Sequence, residues 1–183
     1  MNLRVRFLRR LPRSFLRGWV LDRLFPLSVE AFGRPAPKTG GMKPEEKLRA
    51  FALYTAQEAE RGLAEGDLAA ERIRDRLFQG TRELGKELGR RLGIRGPQAA
   101  VELCGDLYAW LGIDAECQGE DGIVIGGCYF DRFYSAEVCR VMSAMDAGIA
   151  AGLAGGGMLR FSERRTEGAA CCRARFIQED EGP

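Results

Sequence analysis

Three glycines at four-residue spacing constrain this chain more than any other feature. In "TRELGKELGRRLGI", residues 81–94, Gly85, Gly89 and Gly93 form one stripe beside a stripe of Leu84, Leu88 and Leu92. Residues four apart share a helix face. Each glycine costs a helix about 1 kcal/mol relative to alanine, so three on one face predict the close approach of another backbone. Lys86, Glu87, Arg90 and Arg91 interleave with them, which excludes a helix dimer buried in lipid. The stripe predicts packing, not chemistry.

Around that segment the pattern reads as an alternation of helices and strands. From Pro44, the residues Leu48, Phe51, Ala52, Thr55, Ala59 and Leu63 recur at helical steps, and Gly66 closes that helix. Residues 67–79 predict a second helix with Ala69, Ile73 and Leu77 on one side. After the glycine stripe, Pro97 opens a helix whose core face is Ala100, Leu103, Cys104, Leu107 and Trp110. "IDAEC", a "QGEDG" turn and "IVIGGC" predict a hairpin over residues 113–128. Ser135 caps the next helix, with Val138, Met142, Met145, Ile149 and Leu153 facing inward, and "GGG" at 155–157 ends it. "MLRFSER" and "ACCRARFI" then read as two strands around a "TEG" turn. The expected fold class is α+β: N-terminal helices packed on a small antiparallel sheet of two hairpins, with a helix between the hairpins.

The N-terminus differs from the rest in charge. Residues 1–25 carry seven arginines against Asp22 alone, whereas the remainder carries 21 basic and 25 acidic side chains. Residues 1–32 are read as a basic amphipathic arm broken at Pro12, residues 33–44 as a Pro/Gly linker, residues 45–178 as one domain and residues 179–183 as an acidic tail. Residues 1–27 suit an anionic membrane surface or an acidic protein partner; the plainer reading is a packed terminal helix. Nucleic acid is not an expected partner, because no aromatic stacking platform or reading helix accompanies the charge. No uncharged run is long enough for a signal peptide or a membrane span, so the expected location is cytoplasmic, with the arm offering a peripheral contact to the inner membrane face. There the six cysteines stay reduced.

Those cysteines are the candidate chemistry of a chain without histidine. In the last strand the period of two puts Cys172, Ala174 and Phe176 on the core face, and Cys171, Arg173 and Arg175 on the other. Cys128 closes the first hairpin. Cys139 lies in the first turns of the following helix, with Met142, Ser143 and Asp146 further along the same side. Glu163 ends the neighbouring strand. A cluster of Cys128, Cys139, Cys172 and one carboxylate has two chemical readings. Three thiolates with Glu163 match a tetrahedral zinc site. Alternatively Cys139, near a helix N-terminus, acts as a nucleophile with Asp146 or Glu163 as its base. The plain alternative is that the thiols are small buried apolar groups.

The stretch from Leu84 to Phe176 resembles the aminothiazoline-carboxylate hydrolase family. The matching parts are "ELGKELGRRLGI", "IVIGGCYF", "EVCRVMSAMDAGIAAGL" and "EGAACCRARF", the last carrying a G-x-x-x-C pattern at Gly168 and Cys172. More distantly, Cys139, Gly148, Gly152, Gly168 and Cys172 resemble the small-molecule-binding domain of the four-vinyl-reductase type. Some sensors of that type hold zinc with three cysteines and a glutamate. Here the position eight before Cys172 is Arg164, so Cys128 would have to complete the set.

The first resemblance implies a hydrolase that opens a small cyclic amidine at a C–N bond. Cys139 or Cys172 would serve as nucleophile or hold the site, Asp146 or Glu163 would move protons, and Arg160 or Arg173 would bind a substrate carboxylate. The second implies a non-catalytic module in which Met142 and Met145 line an apolar pocket for a small ligand. A zinc ion would then stiffen the closing hairpin, and the arm would deliver the module to a membrane or protein partner.

Overall fold

The computed structural model describes residues 3–94 and 96–178; the acidic run at 179–183 lies outside them. Six helices and four strands follow in order: α1 (Leu3–Leu8), α2 (Arg13–Phe32), α3 (Pro44–Ala64), α4 (Asp67–Leu92), α5 (Pro97–Trp110), β1 (Asp114–Gln118), β2 (Gly122–Gly127), α6 (Ala136–Ala154), β3 (Met158–Glu163) and β4 (Cys172–Ile177). Short 3-10 turns at Tyr129–Arg132 and Arg165–Glu167 precede α6 and β4. The strands form one antiparallel sheet in the order β1-β2-β4-β3, so the expected α+β class holds. The two hairpins are joined through β2 and β4, with Ile125 opposite Cys172 and Ile123 opposite Ala174.

The local signals account for most boundaries. Pro12 ends the first short helix and caps α2. The Lys43 N–H donates to the Glu46 carboxylate at 2.9 Å in front of α3, and the Val138 N–H donates to Ser135 Oγ at 3.2 Å at the start of α6. One boundary differs from expectation. Residues 67–92 form a single helix, not two, because Gly80 only weakens a helix and does not stop it. The missing side chain at Gly80 instead admits Leu27 of α2.

Residues 13–32 are not a detached arm. Leu16, Val20, Leu21, Leu24 and Phe25 are buried in the same core as Leu48, Phe51, Leu77 and Leu107. Phe25 meets Phe51 edge to face, with ring centres 5.0 Å apart. The mixture of Arg with Leu and Phe in this region is therefore the amphipathic pattern of a packed helix. The Pro/Gly stretch that follows is a surface connection from α2 to α3. No helix of the described residues is long and apolar enough to cross a membrane.

The glycine stripe does what its spacing predicts, with a partner stripe on α6. A Cβ on Gly152 would stand 2.9 Å from the Gly85 Cα and would overlap the Arg82 carbonyl. One on Gly148 would overlap the Phe78 carbonyl and the Thr81 hydroxyl. Helices α4 and α6 thus meet backbone to backbone. Gly93 has another role, as the left-handed residue (φ 66°) that ends α4.

Two glycine substitutions of opposite sign contrast this crossing with a helix position that has room for a methyl group. Gly152→Ala overpacks it and is expected to cost about 2–3 kcal/mol. Gly105→Ala, on α5, would place its methyl 3.5 Å from Cys117 Sγ in ordinary contact, and is expected to stabilise by up to about 1 kcal/mol. Urea denaturation midpoints of the two variants check both signs.

Candidate functional site

Helix α6 lies against the sheet on one side and α4 on another, and it delivers Cys139, Met142, Met145 and Asp146 into the interior. Met142 and Met145 are core side chains. Asp146 points toward α5, where Tyr108 shares with it the lining of a small cavity. By area the residue is only partly buried, because it borders a small cavity. The carboxyl group itself is enclosed densely enough that burial pushes its pKa from 3.8 up to about 7. The Tyr108 hydroxyl and the charge of Arg164 act in the opposite sense, favouring the carboxylate.

The thiols around this carboxyl are held neutral by the same enclosure. Burial raises Cys128 to about 12, with Asp146, Asp131 and Cys139 adding to the effect and the Phe130 backbone opposing it. Cys104, one turn before Tyr108 on α5, is raised further, first by burial and then by Asp146. Burial also pushes Cys139 and Cys172 up. The Thr166 hydroxyl and Arg164 work against this at Cys139. At Cys172 the opposing groups are the Arg165 N–H, which donates to Sγ at 3.3 Å, and the charges of Arg165 and Arg164. Tyr134 completes the wall. Its hydroxyl lies 2.6 Å from Thr55 Oγ1, and its ring stacks on Phe130 at 5.4 Å.

The cation nearest this group is Arg164, the residue that follows β3. Its Nη2 donates to Ser143 Oγ at 3.4 Å and its guanidinium lies 5.0 Å over the Phe161 ring. Its Nε is buried with no hydrogen-bond partner, while the buried Thr166 hydroxyl faces the Cys139 thiol. The loop carrying both is clamped by Arg165 to Asp131 at 3.2 Å and by Arg140 to Glu167 at 2.8 Å.

On the α2 side of Asp146 the cavity has about 30 Å³ open to the centre of a water molecule, with Trp19, Arg23, Leu84, Leu107 and Tyr108 among its walls. That is room for one or two waters. Arg23 stands at this wall with its guanidinium 3.8 Å over the Trp19 ring and a 2.9 Å hydrogen bond to the Trp19 carbonyl.

Cys128, Cys139 and Cys172 are within electrostatic reach of Asp146, and Met142 and Met145 are in the core beside them. Glu163, Arg160 and Arg173 are not. Arg173 pairs across the strands with Glu163, at 3.4 Å, and both are about half exposed on the outer face of the sheet. Arg160 lies opposite Arg175 on that same face. The pleat that turns Cys172 inward necessarily turns Arg173 outward. The set Cys128, Cys139, Cys172 and Glu163 does not assemble, and among the described residues no three Cys, Asp or Glu side chains come together as a metal site.

Tyr108, Thr55, Tyr134, Arg164 and Thr166 belong to the site without having been singled out. Tyr108 had a readable signal: it follows Cys104 by four residues on the core face of α5, where a tyrosine hydroxyl needs a partner. Arg164 had none, because its direction is set by an irregular register between β3 and β4. The chain matches no protein-family model and no curated protein.

The sign of the Asp146 shift makes a stability prediction. Its folded pKa, about 7, exceeds its ordinary value of 3.8, so the folded state holds the extra proton and stability falls as pH rises from 4 toward 7. Asp146→Asn removes that penalty while keeping an acceptor for Tyr108. The variant is expected to be the more stable of the two, with the gap widening by roughly 2–3 kcal/mol between pH 5 and pH 8. Urea denaturation at the two pH values measures it.

Proposed function

We propose that this protein is a small-molecule hydrolase of the aminothiazoline-carboxylate hydrolase type, opening a cyclic amidine at its C–N bond, with Asp146 as the proton-transferring group. The observation that carries the reading is the placement of Asp146: a carboxyl enclosed beside a water-sized cavity that Tyr108 and Cys104 also line. A carboxyl with a pKa near 7 both takes and returns protons at neutral pH. As carboxylate it accepts a proton from a water molecule whose oxygen adds to the amidine carbon. As acid it returns that proton to the ring nitrogen, and it then carries the carbinol hydroxyl proton to the same nitrogen as the carbonyl forms and the C–N bond breaks, so both water hydrogens end on the leaving amine. Proton count and charge balance over the cycle.

The same electrostatics favour water over a thiolate as the attacking group. Every thiol bordering Asp146 is raised by burial, so Cys139 and Cys172 shape and dry the site. The unpartnered Arg164 Nε supplies a polar group against which a substrate is oriented. A second reading, a non-catalytic ligand-binding module, draws on one specific observation. The cavity beside Asp146 is walled mostly by apolar side chains, Trp19, Leu84, Leu107 and Leu111 among them, as a small-molecule pocket is.

Turnover of 2-aminothiazoline-4-carboxylate by the purified protein, followed by appearance of the free α-amine that C–N cleavage releases, tests the assignment. Asp146→Asn is expected to lower the rate by about 10²–10⁴ while remaining folded. Cys139→Ser is expected to stay within about tenfold of the parent, since serine preserves the shape of the site. The parent rate should rise with pH to a plateau, with its midpoint near the Asp146 value of about 7. Full activity in Asp146→Asn overturns the role of Asp146. Tight binding of this compound without turnover replaces the hydrolase with the binding module.

A further inference from the structure

We infer that the turn between α1 and α2 is a docking surface for an anionic lipid bilayer, into which Phe7 and Phe15 insert. The inference is independent of the chemistry at Asp146. Both ends of the segment are pinned: Val5 and Leu16 are in the core, Leu16 at 1% exposure. Two further ties run to the body. Arg9 pairs with Asp106 of α5 at 2.9 Å, and Arg17 Nε donates to the Trp110 carbonyl at 2.8 Å. Backbone bonds from Arg10 to Phe7 and from Leu11 to Leu8, each 3.0 Å, close the turn.

Between those anchors Phe7 is 63% exposed and Phe15 60%. A phenylalanine held this far into solvent loses the benefit of burying its ring, a cost repeated here twice within nine residues. The segment is held by its neighbours and is not a frayed end, so the exposure is a property of the fold.

Charge selects the occupant. Arg6, Arg10 and Arg13 are exposed and make no ion pair among the described residues. No acidic residue precedes Asp22 in the sequence, and Asp106, the carboxylate that reaches the turn, is committed to Arg9. Arginines flanking exposed rings match a bilayer in which headgroup phosphates meet the guanidinium groups and the rings enter the acyl boundary. A polyanion in water, nucleic acid or acidic protein, would use the arginines and gain far less from two phenylalanines placed among them.

Co-sedimentation with vesicles of phosphatidylcholine alone, and of phosphatidylcholine with 30% phosphatidylglycerol, tests the proposal on the full chain. Binding is expected on the anionic vesicles, at least about tenfold above the neutral ones, and weakening with salt. Arg6→Glu/Arg10→Glu/Arg13→Glu should lose at least about tenfold, and Phe7→Ser/Phe15→Ser about fivefold or more, with unchanged thermal melting because the altered side chains are exposed. Equal binding to the two vesicle types, or none to either, overturns it. So does a Phe7→Ser/Phe15→Ser variant that binds as the parent does. Arginine-dependent binding to single-stranded nucleic acid in the absence of vesicle binding replaces the bilayer with that partner.

Discussion

Backbone contact between α4 and α6 is the constraint from which the rest follows. Gly85 on one helix and Gly148 and Gly152 on the other remove the side chains that would hold the two axes apart. What remains is dispersion between main chains, which falls away steeply with a gap of even half an ångström. Side chains adapt by changing rotamer; backbones in contact cannot. The position of α6 is therefore set rigidly, and with it Cys139, Met142, Met145 and Asp146. Those four face the sheet and α5 from one turn to the next because α6 has no freedom to rotate away.

The interior that α6 faces combines neutral groups that resist ionisation with one that sits at the edge of it. Burial drives the thiols and Tyr108 upward, while Asp146 is held between its two forms by the Tyr108 hydroxyl and the charge of Arg164. Nearby, the buried Arg164 Nε has no hydrogen-bond partner. A buried polar atom left unpaired costs about 1–3 kcal/mol. A core selected for stability alone has few such atoms. The charge of Arg164 reaches Asp146 and favours its carboxylate, so an unpaired cationic edge stands near an ionisable carboxyl.

Much of this architecture was legible before any coordinates, and the failures have distinct causes. Hairpin strands, the Ser135 cap and the inward face of Cys172 follow from local rules that depend on two to four neighbouring residues. The glycine stripe announced a close helix contact but not which helix would fill it, since partner choice is a tertiary matter. Treating residues 1–32 as an arm failed because charge counts do not register that Leu16, Val20, Leu21 and Leu24 form a core face. Asp146 could be picked out by its distance from Cys139 along one helix. Glu163 was misplaced because the irregular register after Phe161 turns it outward, and no sequence pattern marks that shift.

The strand order carries a consequence for how this molecule comes together. Of the four strands β4 is the latest in sequence, yet it lies in the interior of the sheet, between β2 and β3. Until it arrives, β3 has no partner and the β1–β2 hairpin has an open edge. Pairing of β4 with β2 spans about fifty residues, a non-local step that topology makes slow. Cys172 rides on that strand, so the wall of the site that it supplies is the last to be installed. An incomplete chain would carry two unpaired sheet edges and an open interior, the combination that recruits chaperones or neighbouring chains.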